Sequence, residues 1–352
     1  MTRPSPDSPA GPAFRARAPL RLGLAGGGTD LSPYCDEHGG FVLNATIDRY
    51  AYAVLRPLPE PGLRFVAADR QQRCELPLEG GAVPPALRLH QATYDRAVEL
   101  MNGGRRFPAE LTTFCDAPPG SGLGSSSTLV VAMLRAFAEM LNAPLDDYAM
   151  ASLAHRIERV DCGLRGGRQD QYSATFGGFN FMEFYAGDRV VVNPLRVKNW
   201  ISCELEASLV LFFSGISRES ERIIADQQGN LRSGAAGAVE AMHGLKREAR
   251  DMKEALLRAD FGGIVDSMRR GWIDKKRSAG SVTNETLESI HSAAVGAGAL
   301  AGKVSGAGGG GFMLFYVAPD RRMDVIHALS RFPGQVSNCH FTQTGAQAWR
   351  TA

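Results

Sequence analysis

Cysteine is scarce and never paired at a metal-binding spacing. The six residues (Cys35, Cys74, Cys115, Cys162, Cys203, Cys339) lie far apart without a CxxC pair, and none of the seven histidines falls in an HExxH pattern. Both observations argue against a zinc site or a disulfide framework and fit a reducing cytoplasm. Charge of one sign is missing too: 39 Lys and Arg against 37 Asp and Glu give a formal net charge of +2. The basic residues are scattered, so the field that a nucleic-acid binder needs is absent and a small-molecule partner is expected. No apolar run reaches the roughly 18 residues of a membrane span. The N-terminal "MTRPSPDSPAGPAFRARAP" has no apolar centre of the signal-peptide kind. The expectation is therefore a cytoplasmic protein with no membrane partner, whose residues 1–14 form a disordered, Pro-rich tail.

What is present is a globular composition, 44% hydrophobic and 22% charged, on 352 residues, long enough for two domains. Apolar runs alternate with helical patterns, so the class mixes α and β. The stretch 45–57 alternates like a strand, and "GGFNFMEF" and "GGFMLFYV" read as strands opening on glycine pairs. Helical patterns cover 126–141, 147–160, 236–258 and 285–299. A composition change over 191–200 divides the chain into 15–195 and 196–352. In the third helix Val239, Met242, Leu245, Ala249, Met252, Leu256 and Leu257 fall near one face. That stripe is either core or a subunit interface, so a homodimer stays open.

The stretch "DAPPGSGLGSSSTLVVAML", Asp116 to Leu134, carries the first chemistry. Gly120, Gly122 and Gly124 permit backbone conformations closed to other residues, and the serines lead straight into an apolar helix. Such a loop presents unpaired N–H groups and the positive end of a helix dipole at one point, which suits a phosphate. A plain serine N-cap would explain the serines but not three alternate glycines. The loop is not a Walker motif, because Gly124 stands where the lysine should be, and its GxGxG spacing is not the dinucleotide GxGxxG. No HRD or DFG triplet points to a protein kinase.

"PPGSGLGSSS" closely resembles the second motif of the GHMP kinases, the family of galactokinase, homoserine kinase, mevalonate kinase and phosphomevalonate kinase. "RAPLRLGLAGGGTDL" (17–31) occupies the place of that family's first motif, and "KVSGAGGGGF" (303–312) that of its third. The resemblance implies an α+β two-domain GHMP kinase fold, with a ribosomal-protein-S5-like N-terminal domain, a ferredoxin-like C-terminal domain and the site between them. It implies ATP as co-substrate, its phosphates held by Gly120, Ser121, Gly122, Leu123, Gly124, Ser125, Ser126 and Ser127, and Mg²⁺ held by Ser126 and Glu158. It further implies Asp170 as general base or orienting carboxylate, with Arg21 beside it lowering its pKa and stabilising charge in transfer.

The residues themselves leave alternatives. Glu158 stands in the last turn of its helix, where a carboxylate opposes the dipole at about 0.3–1 kcal/mol. It is either a ligand or a solvated charge balanced by Arg156 and Arg159. Asp170, after a Gly-Gly pair in "RGGRQDQY", could be an ordinary turn residue, and Arg21 an exposed strand residue. The first motif lacks the Gly-Glu-His of galactokinase-like members and has Gly27 and Gly28 there instead. A substrate-binding set of Gly26, Gly27, Gly28, Thr29 and Asp30 is expected, with Asp30 accepting from sugar hydroxyls unless Thr29 and Asp30 merely cap a short helix. Gly308 and Gly309 of the third motif complete the set as a loop closing over the site.

The first-motif region, 17–53, looks most like the heptose 7-phosphate kinase branch of the family, near the fucokinase-type sugar 1-kinases. That implies ATP-dependent phosphorylation of the anomeric C1 hydroxyl of D-glycero-D-manno-heptose 7-phosphate to the 1,7-bisphosphate, toward nucleotide-activated heptose. A substrate already carrying a phosphate needs a second anion site. Arg49, Arg165, Arg168, Lys275 and Arg277 are candidates between which spacing does not choose; Arg168 is placed in the substrate-binding set. A sugar 1-kinase of fucokinase type remains the close rival. A non-catalytic sensor is opposed by the intact Ser126, Glu158, Asp170 and Arg21. A nicotinamide-dependent oxidoreductase lacks its acidic residue about 20 positions after the loop.

Overall fold

The computed structural model describes residues 12–216, 220–235 and 237–351. Two long strands, β1 (Ala13–Ala25) and β2 (Gly40–Pro57), pair antiparallel as the spine of the first half, with the short helix α1 (Tyr34–His38) between them. There follow β3 (Leu63–Ala67), β4 (Gln72–Leu76), α2 (Arg88–Met101), β5 (Ala109–Cys115), α3 (Ser125–Leu141), α4 (Asp147–Arg156), α5 (Gln169–Phe176), β6 (Phe179–Phe184) and β7 (Val190–Pro194). The second half runs α6 (Asn199–Ser208), β8 (Leu209–Phe213), α7 (Ser220–Arg232), α8 (Ala238–Arg258), α9 (Phe261–Ser278), α10 (Glu285–Gly296), β9 (Ala299–Val304), β10 (Phe312–Val317), α11 (Arg322–Leu329), β11 (Gln335–Ser337) and β12 (Gln347–Thr351).

One sheet has the order β12-β1-β2-β5-β3-β4, with β6 added to β2 and β7 to β6; the other has the order β11-β8-β10-β9. The second sheet is buried on both faces, which its sequence explains. In β8 and β10, Leu209, Leu211, Phe312, Leu314 and Tyr316 point into a core shared with β1, β2, α8 and α9. The alternate residues Val210, Phe212, Met313, Phe315 and Val317 enter a second core against α10 and α11. Continuous apolar runs such as "LVLFF" are what a strand covered on both sides requires. Because the first of these cores also holds Leu20, Leu22, Leu24, Leu43 and Ile47, the two halves are joined by packed apolar surface. Among the described residues no helix is long and apolar enough to cross a membrane.

Several expectations need correction. β1 begins at Ala13, so the last two residues assigned to the tail are ladder residues paired with β12; residues 1–11 lie outside the described residues. The expected second domain, 196–352, overruns, because β12 crosses back onto β1 and joins the first sheet. α10 stops at Gly296 and β9 starts at Ala299, where the sequence reads as continuous helix; Gly298, at φ +114°, breaks it. The apolar stripe of α8 is core: Met242, Leu245, Ala249, Met252 and Leu256 are buried, whereas Leu257 is exposed.

Candidate active site

The glycine loop before α3 adopts the geometry its composition requires. Gly120, Gly122 and Gly124 all have positive φ, and Gly124 is the N-cap of α3 without any side-chain cap bond. The helix N-terminus therefore keeps N–H groups free for a ligand. A Cβ on Gly122 would lie 2.4 Å from the Ser305 carbonyl oxygen, so the third motif is packed backbone to backbone against this loop. Phe312 N–H donates to Ser121 O at 2.8 Å and Ser305 Oγ donates to Gly122 O at 3.0 Å, fixing the loop from the second half. Gly120, Gly122, Gly124, Ser125, Ser126 and Ser127 line a cleft of about 600 Å³. Ser121 and Leu123 do not: both side chains are buried, Leu123 in the core between the halves.

Arg21 reaches this loop because of an irregularity in β1. The β1–β2 register shifts between Pro19 and Arg21, and the Arg21 N–H donates to Leu123 O at 3.1 Å. Its guanidinium donates from Nη1 to Gly122 O at 2.6 Å and from Nε to Asp170 Oδ1 at 2.7 Å, with Nη2 2.6 Å from that same oxygen. Asp170 is not the loop residue expected. It lies in the first turn of α5, where the helix dipole favours a carboxylate. Its Cγ would be 3.0 Å from a Cβ on Gly124, so base candidate and phosphate loop touch. Oδ2 accepts no protein hydrogen bond among the described residues and is available at the cleft wall.

Glu158 is neither solvated nor in an α-helical last turn. α4 ends at Arg156 and continues as a π turn over Ile157–Asp161, which rotates Glu158 inward to full burial. Ser126 Oγ donates to Glu158 Oε1 at 3.1 Å, and Gln171 Nε2 donates to Oε2 and lies 3.0 Å from Ser127 Oγ. A hydroxyl and a carboxylate, both hard oxygen donors, thus meet beside the glycine loop. That donor set fits Mg²⁺, which takes one or two carboxylates and completes its shell with water and phosphate.

The first motif is used differently from expectation. Asp30 is 2% exposed and its oxygens are already committed. Oδ1 accepts from Gly28 N–H and Gln169 Nε2, both at 3.1 Å, and Oδ2 from the N–H groups of Arg168 at 2.9 Å and Gln169 at 3.1 Å. Four donors fill a carboxylate's capacity, so Asp30 ties the glycine turn to the start of α5 and has none left for a sugar. Thr29 is fully buried, its hydroxyl spent on Gly26 and Phe41 backbone groups, and Gly26 abuts the Phe41 carbonyl. Arg168 faces away from the cleft, ion-paired to Asp188 at 3.0 Å and donating to Tyr185 O at 3.0 Å. Gly308 and Gly309 pack on Val282, and it is Gly306 and Ala307 that line the cleft. Of the expected substrate-binding set, Gly28 and Asp30 reach the main cleft, and Gly26 and Gly27 line a small recess beside it.

Among the described residues, six basic side chains (Arg21, Arg70, Arg88, Arg159, Arg165, Lys275) line this cleft against three acidic ones (Asp30, Asp170, Glu221), an arrangement suited to polyanions. Burial pushes the Lys275 ammonium down to about 8, partly offset by Asp30, with Arg21 adding to the fall. Lys303, next to it, is pushed down to about 7 by burial and then by the charges of Lys275 and Arg21. Its Nζ donates to Gly23 O and Leu24 O at 2.6 and 2.9 Å. Gln169, Gln171, Gln227 and Lys303 were not singled out from the sequence. The two glutamines flanking Asp170 in "RQDQY" were the available signal.

Residues 89–178 match the GHMP kinases N terminal domain and residues 252–334 the GHMP kinases C terminal domain. Over 338 residues the chain is 47% identical to a D-glycero-alpha-D-manno-heptose 7-phosphate kinase of Campylobacter jejuni subsp. jejuni, covering 96% of this chain and 99% of that protein. The crystal structure of a D-glycero-D-manno-heptose 1-phosphate kinase from Bacteroides thetaiotaomicron superposes with a TM-score of 0.80 at 42% identity, covering 96% of this chain and 98% of that one. An L-fucokinase/L-fucose-1-P guanylyltransferase of Bacteroides fragilis is 26% identical over 86% of this chain, which spans 34% of that longer protein.

Proposed function

The chain belongs to the GHMP kinases and is an ATP-dependent sugar kinase; from that premise we propose that it phosphorylates the C1 hydroxyl of D-glycero-D-manno-heptose 7-phosphate, giving the 1,7-bisphosphate. The observation that carries the chemistry is the Arg21–Asp170 pair: one carboxylate oxygen is gripped, the other is open beside the phosphate loop. The substrate assignment is supported by the 47% identity to a heptose 7-phosphate kinase along nearly the whole chain.

In this reading the N–H groups of the glycine loop and the α3 N-terminus cradle the triphosphate, and the apolar wall of Pro85, Ala86 and Leu89 receives the base. Ser126 and Glu158 would hold Mg²⁺, which when bound neutralises phosphate charge. Asp170 Oδ2 accepts the proton of the sugar O1–H as that oxygen attacks the γ-phosphorus. The bond from the γ-phosphorus to the β–γ bridging oxygen breaks, and ADP leaves with the electron pair. Arg21 holds Asp170 through the step and, through Gly122 O, keeps base and cradle in register.

A second reading is favoured by the name of the Bacteroides thetaiotaomicron relative: the acceptor is the heptose 1-phosphate and the transfer is to the far end of the sugar. Both reactions give the same bisphosphate, so the acceptor separates them. ADP release from Mg-ATP should be compared with heptose 7-phosphate, heptose 1-phosphate, the free heptose, L-fucose and galactose. Turnover with the 7-phosphate well above that with every other acceptor is the expected result. Turnover highest with the 1-phosphate selects the second reading, turnover highest with a free sugar moves the enzyme to the fucokinase type, and none with any acceptor overturns the assignment.

A further inference from the structure

Lys275 sits in the last turn of α9, 6% exposed, yet lines the cleft. Its Nζ donates to Gly27 O at 2.8 Å, and among the described residues no carboxylate lies within ion-pair distance of it. An ammonium has three donors, so two remain without a partner among the described residues. A buried charge with neither a counter-ion nor a full set of hydrogen bonds is a costly feature, and an incoming anion relieves it. The neighbouring Lys303 adds positive potential and is itself occupied by the Gly23 and Leu24 carbonyls.

Gly28 decides whether the cleft can reach this ammonium. A Cβ there would lie 3.1 Å from Lys275 Nζ and 3.8 Å from Gln227 Nε2, so both donors converge on the space a side chain would fill. Gln227 is 1% exposed, lines the same cleft and is held by its hydrogen bond to Ser278 Oγ at 2.8 Å. Of the other basic candidates, all but Arg165 are placed elsewhere. Arg168 is ion-paired to Asp188, Arg277 is paired to Asp274 at the surface, and Arg49 lies over the Phe312 ring. Arg21 is committed to Asp170 and Gly122. Arg165 does line the cleft but is exposed.

We infer that Lys275, reached through the gap left by Gly28 and assisted by Gln227, anchors the phosphate that the acceptor sugar already carries. The inference rests on the reading of the acceptor as a sugar phosphate and specifies how that class is selected: a free sugar leaves the ammonium uncompensated, a sugar phosphate neutralises it. It also gives a physical reason for the small first motif, because any side chain at position 28 would close the approach.

The test compares KM for heptose 7-phosphate, free heptose and ATP in the wild type, Lys275→Gln and Lys275→Arg. Glutamine keeps a donor for the Gly27 carbonyl but removes the charge, so a role limited to tying α9 to the glycine turn predicts near-normal kinetics. The anchor role predicts that KM for the 7-phosphate rises about 30-fold or more in Lys275→Gln, that KM for ATP and for free heptose each move less than about threefold, and that arginine restores part of the loss. A change below threefold for the 7-phosphate, or an equal rise for both sugars, overturns the inference. Should Lys275→Gln fail to melt cooperatively, Lys275→Arg decides. With the charge kept but displaced, the anchor role predicts a rise confined to the 7-phosphate, and an unchanged KM overturns it. A wild type with no preference for the phosphorylated sugar overturns the acceptor reading itself, whereas a preference that survives in the variants overturns only the part given to Lys275.

Discussion

Arg21 holds Asp170 by a single carboxylate oxygen, Nε at 2.7 Å and Nη2 at 2.6 Å from Oδ1, and leaves Oδ2 to the cleft. The same guanidinium is 2.6 Å from the Gly122 carbonyl, so one side chain sets the position of both Asp170 and the glycine loop. Replacing it with methionine removes both constraints. Arg21→Met is expected to lower kcat by about 10²-fold or more, in the range lost when a preorganised donor is removed. KM for ATP should rise less, because the loop is also held by Phe312 and Ser305. Steady-state kinetics with both substrates varied checks this; a loss confined to KM for ATP would assign Arg21 to nucleotide binding alone.

The Ser126–Glu158 contact makes a separate statement about metal. Ser126→Ala removes one hard oxygen donor and leaves the carboxylate in place. The Mg²⁺ concentration giving half-maximal rate is expected to rise about tenfold, with activity recovered at high Mg²⁺. A magnesium titration superposing on that of the wild type would remove Ser126 from the metal site.

Lys303 provides a pH signature of the fold. Its ammonium is held at about 7 in the folded protein against an ordinary 10.5, facing Lys275 and Arg21 and donating to two β1 carbonyls. Between those values the unfolded chain binds the extra proton, so this residue's contribution to stability rises with pH from about 7 toward 10.5. Below the lower value both states are charged, and burial disfavours the fold by its full amount. Urea midpoints of the wild type and Lys303→Met at pH 6.5, 8 and 9.5 test this. The difference between them should move toward the wild type as pH rises, and a flat difference would contradict it.

How much of this was legible in the sequence follows from how far each feature reaches along the chain. The three glycine motifs are local, and their order and composition foretold the family. Arg21, Ser126, Glu158 and Asp170 were found through the resemblance; Arg21, Ser126 and Asp170 line the cleft, and Glu158 lies buried behind Ser126. Their surroundings were not legible. The π turn that buries Glu158 depends on tertiary packing, and the pattern of α4 continues through it without a break. Asp30 was assigned to the sugar because a free carboxylate suits hydroxyls, but its partners Arg168 and Gln169 lie 138 and 139 residues away. Arg168 was misplaced for the same reason, since its ion-pair partner Asp188 stands beyond β6 in a separate turn. Lys275 could not be chosen over four other basic residues until its 248-residue contact with Gly27 was visible.

The most direct test of the account is turnover of heptose 7-phosphate by Asp170→Asn, with nucleotide affinity measured on the same preparation. The variant keeps the shape of α5 and leaves the glycine loop untouched while removing the carboxylate to which the account gives the proton. The account expects kcat to fall by about 10²–10⁴-fold, with the dissociation constant for ATP within about threefold of the wild type. Turnover within about tenfold of the wild type, at unchanged nucleotide affinity, would contradict it and take Asp170 out of the proton transfer.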